Sequence, residues 1–487
     1  MRPGRRWSFV LLAVVTLAGI LLFPLPPVLD THGESVSLSA VGRTSLAIVA
    51  SCLVLWVTEA IPFAVTGLLI FLLFPALGVA TMAEVLESGL GHPLTLFFLS
   101  LSLLSVAFVH VGLNRRVGNW LLVCSKGSAR RLFLLTLAVG AALVLGMSAL
   151  AVASLLVSVA LEILEQTQLG SQRGNFGRAL LLATSWGPLI GSLCSLTGTG
   201  SNLLAVGYLD ELAGVQVTFG DWLALGLPAA LLLVLIGWLI LCRVFPVEQE
   251  KLLSSKDLGR LDVQNHSPLT QRERIFLTIL GTMLFLWIAG PMIGRLTDGQ
   301  MAPSMQGVGV AAALVLFLPG LDLLPWSEAE QGVPWGTLLV LAAGLAAGVM
   351  LYRSGAARWL AWALLGPMGK VAPVPRVFAM VALVCLLRLM FSSSTAAGAI
   401  LIPLVIVLAQ DLNVDPWLFT APAAFAINLA FILPTQAAVH MISYSAGYFS
   451  SKDMAKSGLL LTLAGVLVVS GVVLLIGRLT GLYQLSK

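Results

Sequence analysis

Residues 388–398 read Arg388-Leu389-Met390-Phe391-Ser392-Ser393-Ser394-Thr395-Ala396-Ala397-Gly398, and four of them, Ser392 to Thr395, are consecutive hydroxyl residues inside an apolar stretch running from Val377 through Leu408. Hydrocarbon holds no water, so each polar group left unsatisfied there costs several kcal/mol. Four adjacent hydroxyls therefore predict a break in a helix that lines a cavity, and a cavity at membrane depth holds a solute. A weaker echo, Gly146-Met147-Ser148-Ala149-Leu150, lies between two apolar runs in the first half of the chain.

The sequence around this stretch is that of a membrane protein. Its 487 residues are 58% hydrophobic and 10% charged, with a mean hydropathy of +0.99, whereas a soluble domain carries about 25% charged residues. The fold class is an all-α, polytopic membrane protein. Five cysteines (Cys52, Cys124, Cys194, Cys242, Cys385) lie in or beside apolar segments with no CxxC or Cys/His spacing, so neither a disulfide framework nor a zinc site is expected. The basic residues behind the net charge of +5 sit in loops between spans and report topology rather than nucleic-acid binding.

A span needs roughly 20 apolar residues. About eleven can be read, at 8–24, 45–61, 63–80, 94–113, 176–193, 221–243, 274–294, 306–323, 335–352, 415–433 and 457–477. Two pairs of shorter segments, 131–147 with 149–164 and 374–391 with 396–410, each join at a polar or small-residue break and predict re-entrant helical hairpins. Basic clusters at Arg115-Arg116, Lys126 with Arg130-Arg131, Arg173 with Arg178, and Lys251 through Arg274 mark cytoplasmic loops. The basic N-terminus, Arg2 to Arg6, is read as the cytoplasmic end of a retained first span in a bacterial inner membrane. Asp30, Glu34, Asp210, Glu211 and Asp221 fall on the outside; Asp322, Glu328 and Glu330 fall on the cytoplasmic side, which the rule tolerates because acidic residues weigh little in it. The hydrophilic segment 248–274 divides the chain into halves, 1–247 and 275–487, each with the same order of parts. An odd number of spans per half makes the halves inverted repeats, the arrangement of many secondary transporters.

Two interrupted spans follow the hairpins. One carries Ser192-Leu193-Cys194-Ser195-Leu196-Thr197-Gly198-Thr199-Gly200-Ser201-Asn202, the other Leu433-Pro434-Thr435-Gln436-Ala437-Ala438-Val439-His440. Glycine, proline and hydroxyls release backbone at membrane depth, where free carbonyls can coordinate a cation. Hydroxyls and unpaired amides at a helix start suit an anion. Back-bonding to carbonyls or close helix contact would account for the same serines without a ligand.

Several of these residues together resemble the divalent anion/sodium symporters, the family of dicarboxylate, tricarboxylate and sulfate carriers. The resemblance rests on Trp56-Val57-Thr58-Glu59-Ala60-Ile61-Pro62 with Thr66, on Gly112-Leu113-Asn114-Arg115-Arg116, and on Leu318-Pro319-Gly320 with Trp326. Val333-Pro334-Trp335-Gly336, Leu433-Pro434 and Ser445-Ala446-Gly447-Tyr448 complete it. It implies a secondary transporter of small anions, di- or tricarboxylates first, cation-coupled, moving by an elevator-like alternation on a dimeric scaffold; the alternatives are a proton-coupled carrier or exchanger of sulfate or another inorganic anion, or a carrier-fold sensor that no longer transports. No cofactor is implied beyond sodium as coupling ion. Substrate would be held by Ser148, Thr199, Asn202, Ser393, Ser394, Thr395 and Ala437, and sodium by Ser148, Ala149, Gly198, Ser392 and Ser394.

The family's Ser-Asn-Thr tips fall on Ser393-Ser394-Thr395 and Ser148-Ala149-Leu150, so both asparagines are replaced and the first threonine is a leucine. Alanine and leucine side chains ligate nothing, which predicts a lopsided site weighted to the second tip. Arg388 lies inside the apolar run Leu383–Met390, where a cation is expensive and functional by default. It could supply substrate-balancing charge, or the charge that sodium supplies in relatives; alternatively it snorkels or pairs with a structural carboxylate. His440 replaces the asparagine of the second unwound span and suits proton coupling, or else is a helix-contact histidine. An enzyme is disfavoured: Ser393 and His440 have no acidic orienter beside them in sequence, and no HExxH occurs.

Overall fold

A computed structural model describes residues 3–166, 174–247, 268–297 and 303–480. Most of the linker expected at 248–274 lies outside these residues. The first helix, α1 (Pro3–Leu22), is followed by a minimal antiparallel pair, β1 (Val28–Leu29) with β2 (Ser35–Val36), the one departure from an all-α fold among the described residues. Then come α2 (Ala40–Thr58), α3 (Phe63–Ala76), α4 (Met82–Ser88), α5 (Pro93–His110) and α6 (Leu113–Ser125). The first hairpin is α7 (Ala129–Leu143) with α8 (Ala149–Gln166), followed by α9 (Asn175–Gly191), α10 (Gly200–Ala213) and α11 (Phe219–Val244).

Beyond the linker the same order returns. It runs α12 (Gln271–Leu296), α13 (Met305–Val315), α14 (Trp326–Gly332), α15 (Trp335–Arg353) and α16 (Ala356–Leu365). The second hairpin, α17 (Pro373–Arg388) with α18 (Ser394–Asp411), precedes α19 (Pro416–Asn428), α20 (Ala438–Ser445) and α21 (Ser451–Thr480). Local chemistry repeats too. Capping boxes open α11, with Thr218 and Asp221, and α21, with Ser450 and Asp453, each satisfying two orphan amides.

Among the described residues eight helices are long and apolar enough to cross a membrane. Several of the expected spans are shorter than the sequence suggested. The helix expected over 63–80 stops at Ala76, with Pro75 in its last turn and Gly78 at φ 71°. That expected over 306–323 stops at Val315, ahead of Pro319-Gly320. The apolar run measures hydropathy, whereas the backbone ends where proline withdraws a donor and glycine turns left-handed. Leucines at 231, 232, 235 and 239 on α11, and at 459, 460, 463 and 467 on α21, are exposed on the isolated chain, as lipid-facing side chains must be.

Each hairpin is held by the helix that follows it. Both α7 and α8 lie against α9, and both α17 and α18 against α19. Across the halves α5 meets α13 and α15 meets α3, the same contact with the halves exchanged. Ion pairs fall into two sets. Arg353–Glu211 (2.8 Å), Arg358–Asp411 (2.7 Å) and Arg358–Asp30 (3.9 Å) gather around Glu211 and Asp30, the acidic residues that the sequence reading assigns outside. Arg116–Glu273 (2.6 Å), Arg178–Asp453 (3.8 Å) and His110–Glu328 join ends assigned to the cytoplasm. Those with both partners exposed, such as Arg353–Glu211, add little stability; the information in the set is that each pair ties loops on one face.

Candidate functional site

The two hairpin tips and the two interrupted spans lie together in the structure. Each hairpin's outgoing helix starts from a serine cap: Ser148 Oγ accepts from Ala151 N (3.3 Å), and Ser393 Oγ accepts from Ala396 N (3.3 Å). The interrupted spans correspond at the level of the backbone. Thr199 before α10 has φ −144° and ψ 150°; Ala437 before α20 has φ −146° and ψ 140°.

In the first half the tip is tied to the unwound segment by neutral hydrogen bonds. Ala149 N donates to Gly198 O (3.1 Å), and Thr197 Oγ1 donates to Val144 O (3.4 Å). Ser148 N donates to Ser105 Oγ on α5 (3.3 Å). Ser105, which the sequence did not mark as a binding residue, thus supplies an oxygen at a tip where Ser148 keeps its hydroxyl but Ala149 and Leu150 offer no side-chain ligand. In the second half the corresponding place is taken by Arg388. The side chain is wholly buried, and Nε donates to Ile427 O (3.0 Å), Nη1 to Phe391 O, and Nη2 to both Ser394 Oγ (3.1 Å) and Gln436 O. It neither snorkels nor meets a carboxylate: all of these acceptors are neutral.

The halves meet at a pair of buried amides. Asn202 Nδ2 donates to Ser192 O (2.7 Å) and Ser195 O (2.8 Å), holding the frayed end of α9. Its Oδ1 accepts from Asn428 Nδ2 (2.8 Å), while Asn428 Oδ1 accepts from Thr199 Oγ1 (3.1 Å) and Ser201 Oγ (3.4 Å). Asn202 is therefore a brace between the unwound span and α19. Sequence reading missed Asn428, although an asparagine inside Ala423–Phe431 is the sort of intramembrane polar residue that marks a site. Thr395 lies on Gly200, where a Cβ would come within 3.0 Å of its Cγ2, so the second tip rests on the first unwound span.

His440 is wholly buried on α20, and its Nε2 lies 2.7 Å from Ala430 O, ten residues back. Asn202 bonds Ser192 O across the same ten residues in the first half, so the histidine keeps half of the asparagine's work. Its Nδ1 and the hydroxyl of Ser392 are buried without a protein partner.

Between α5 and α8 lies a cavity of about 720 Å³, lined by Ser102, Ser105, Ser148, Leu150 and Ser154, with His110 and Glu328 at its edge. The equivalent position in the second half is closed: α18 lies broadly on α15, and Gly344 faces Ala399 so closely that a Cβ would come within 3.0 Å. Tyr208 on α10, wholly buried, donates its hydroxyl to Gly344 O across that closed junction.

The family model for the sodium:sulfate symporter transmembrane region matches residues 4–482. A sodium-dependent dicarboxylate transporter, SdcS, of Staphylococcus saprophyticus is 27% identical over 475 residues, covering 93% of this chain and 90% of the relative. A Cupriavidus necator chain described as a membrane protein is 25% identical over 474 residues, covering 93% and 89%. Among solved structures, that of the Alcanivorax borkumensis YdaH transporter, titled as having an unusual topology, aligns with a TM-score of 0.55 at 15% identity over 99% of this chain and 98% of that one. At that identity the likeness is one of fold.

Proposed function

We propose, from a chain that belongs to the sodium:sulfate symporter family, a secondary carrier that moves small anions by alternating access. The protein is a multi-pass membrane transporter and not an enzyme. Relatives named for sodium-dependent dicarboxylate transport favour a di- or tricarboxylate as substrate, with sulfate as the second choice, and sodium as the co-transported cation. The two halves are read as inverted repeats, with α7–α11 and α17–α21 forming a moving unit. Helices α2–α6 and α12–α16 form the scaffold, through which two copies associate. Substrate is held between the tips by Ser393, Ser394 and Thr395, with Ser148, Thr199 and Ala437 on the other side. The oxygens gathered at the first tip, Ser148 Oγ and Gly198 O among them, are available to sodium.

One observation carries this reading: related hairpins meet the scaffold unequally. The α8–α5 junction holds a cavity of about 720 Å³, and the α18–α15 junction holds close side-chain contact. Exchanging the two junctions would produce the same molecule open to the opposite face, which is what a carrier built of two inverted halves requires. Because the charge rule places both ends of the first hairpin on the cytoplasmic side, we read the open junction as the inward one.

Uptake by the purified protein in proteoliposomes tests the proposal. Labelled succinate, citrate and sulfate are offered under an inward sodium or proton gradient. Accumulation of at least one of them, abolished by collapsing the gradient, is expected; no flux of any of the three under either gradient would refute it.

A further inference from the structure

We infer that Arg388 is a built-in cation, its guanidinium standing where a mobile coupling ion would otherwise bind, so that the second hairpin junction takes no sodium. This rests on the transporter reading above and assigns that site its ion.

The chemistry of the shell comes first. Ile427 O, Phe391 O, Gln436 O and Ser394 Oγ belong to the end of α19, the hairpin tip, the unwound loop before α20 and the start of α18. Neutral carbonyl and hydroxyl oxygens converging from several released segments are the ligand set of a hard monovalent or divalent cation at membrane depth. One of the carbonyls, that of Ile427, lies in the last turn of α19, where the helix dipole also favours positive charge. An arginine serving as one half of an ion pair would meet a carboxylate; this one is given a cation's oxygen shell and keeps its charge, since guanidinium does not lose its proton in proteins.

Comparison of the two halves supplies the second argument. Gly198 and Gln436 each precede by one residue the matching extended positions Thr199 and Ala437. In the first half the Gly198 carbonyl accepts a backbone amide from the tip, Ala149 N. The Gln436 carbonyl accepts the guanidinium instead. The junctions therefore differ by one full positive charge at the place where tip and unwound span are joined. A side chain anchored on α17 cannot dissociate at either face of the membrane. Its charge travels with the moving unit in both directions, assists the anion electrostatically, and draws nothing from an ion gradient. A carrier with one tethered cation thus couples to fewer sodium ions than one with two open shells.

Equilibrium binding of ²²Na⁺ to the purified full-length protein tests this, on wild type, Arg388→Ala and Arg388→Lys. Wild type is expected to bind no more than one sodium per chain. The alanine variant, with the shell vacated, gains one sodium, and the lysine variant, which keeps a tethered charge, gains none. Two sodium ions on wild type would overturn the inference, as would an unchanged count in an alanine variant that runs as a monodisperse, folded species. Should that variant not fold, the sodium dependence of wild-type uptake decides: a Hill slope of about one or less supports the tethered cation, and a clearly larger slope overturns it, because the slope is bounded by the number of sites. A protein that moves no anion under any gradient fails the transporter reading, and its sodium count still decides whether Arg388 fills the shell.

Discussion

Replacing Tyr208 by phenylalanine should tilt the carrier toward its other face. Tyr208 is wholly buried on α10, in the proposed moving unit, and its hydroxyl donates to Gly344 O on α15, in the proposed scaffold. The ring lies on Gly348, where any Cβ would collide with it, so phenylalanine keeps the shape of the contact and removes only the donor. Gly344 sits mid-helix and retains its backbone partner, so no acceptor is orphaned and the change removes one hydrogen bond with little further cost. Side-chain hydrogen bonds between membrane helices are worth on average about 0.6 kcal/mol, and about 1.7 at most. That bond exists only while α10 and α15 are in contact. Its loss should therefore raise the population of the oppositely open state by about 3-fold, with a ceiling of about 18-fold, at 1.36 kcal/mol per factor of ten.

The assay needs a reporter that is silent in the observed state. Leu345 on α15 is 1% exposed and touches Gly207 of α10, so a cysteine there is labelled only when the junction parts. In a background with the five native cysteines replaced, the labelling rate of Leu345→Cys should rise by the factor above when Tyr208→Phe is added. A rate unchanged within experimental scatter, with equal thermal stability of the two proteins, would refute the claim that this junction opens as part of the cycle.

Two further outcomes follow from contacts shared by the halves. Gly226 on α11 and Gly458 on α21 lie against the carbonyls that end α9 and α19: a Cβ would come within 2.6 Å of the carbonyl carbon of Leu193 in one case and of Phe431 in the other. Gly226→Ala and Gly458→Ala should each cost about 1–3 kcal/mol by overpacking, seen as a lowered unfolding midpoint in detergent. Gly471→Ala on the same helix as Gly458, with nothing within 4 Å, should be neutral or gain up to about 1 kcal/mol; equal losses at all of these positions would refute the steric argument. His440→Asn should hold Ala430 O as Asn202 holds Ser192 O and remain as stable as wild type, while His440→Ala orphans that carbonyl at about 1–3 kcal/mol. Thermal unfolding that fails to separate the two variants would show that the bond carries no stability.

The sequence revealed the polar breaks, because four hydroxyls in hydrocarbon, or a run such as Thr197-Gly198-Thr199-Gly200-Ser201-Asn202, are too costly to stand in an unbroken lipid-facing helix. It also suggested a repeated order of parts. It did not reveal where Phe63–Ala76 and Met305–Val315 stop, since a hydropathy window continues across a proline or a left-handed glycine that ends the helix. The role of Asn202 was also out of reach. Its side chain is consumed by Ser192, Ser195 and Asn428, a partner 226 residues away, and one-dimensional reading carries no distance between such residues. Ser105 escaped for the same reason: it lies 43 residues before the tip it completes.

The loss of polar side chains at the first tip and the gain of a charge at the second are best understood together. Ala149 and Leu150 remove side-chain ligands from one junction, and what remains there is the Ser148 hydroxyl, a backbone amide on Gly198 O and the borrowed hydroxyl of Ser105. Arg388 adds a permanent charge to the other and satisfies the oxygens an ion would need. A dianion between the tips still requires compensating charge, because an uncompensated ion at membrane depth costs several kcal/mol. With one shell weakened and one filled, one of the two compensating charges comes from Arg388 itself and is present whether or not the substrate is bound. The moving unit would then cross the membrane carrying a net positive charge when empty and a smaller or inverted charge when loaded. The membrane potential would act on the return of the empty carrier rather than on ion entry.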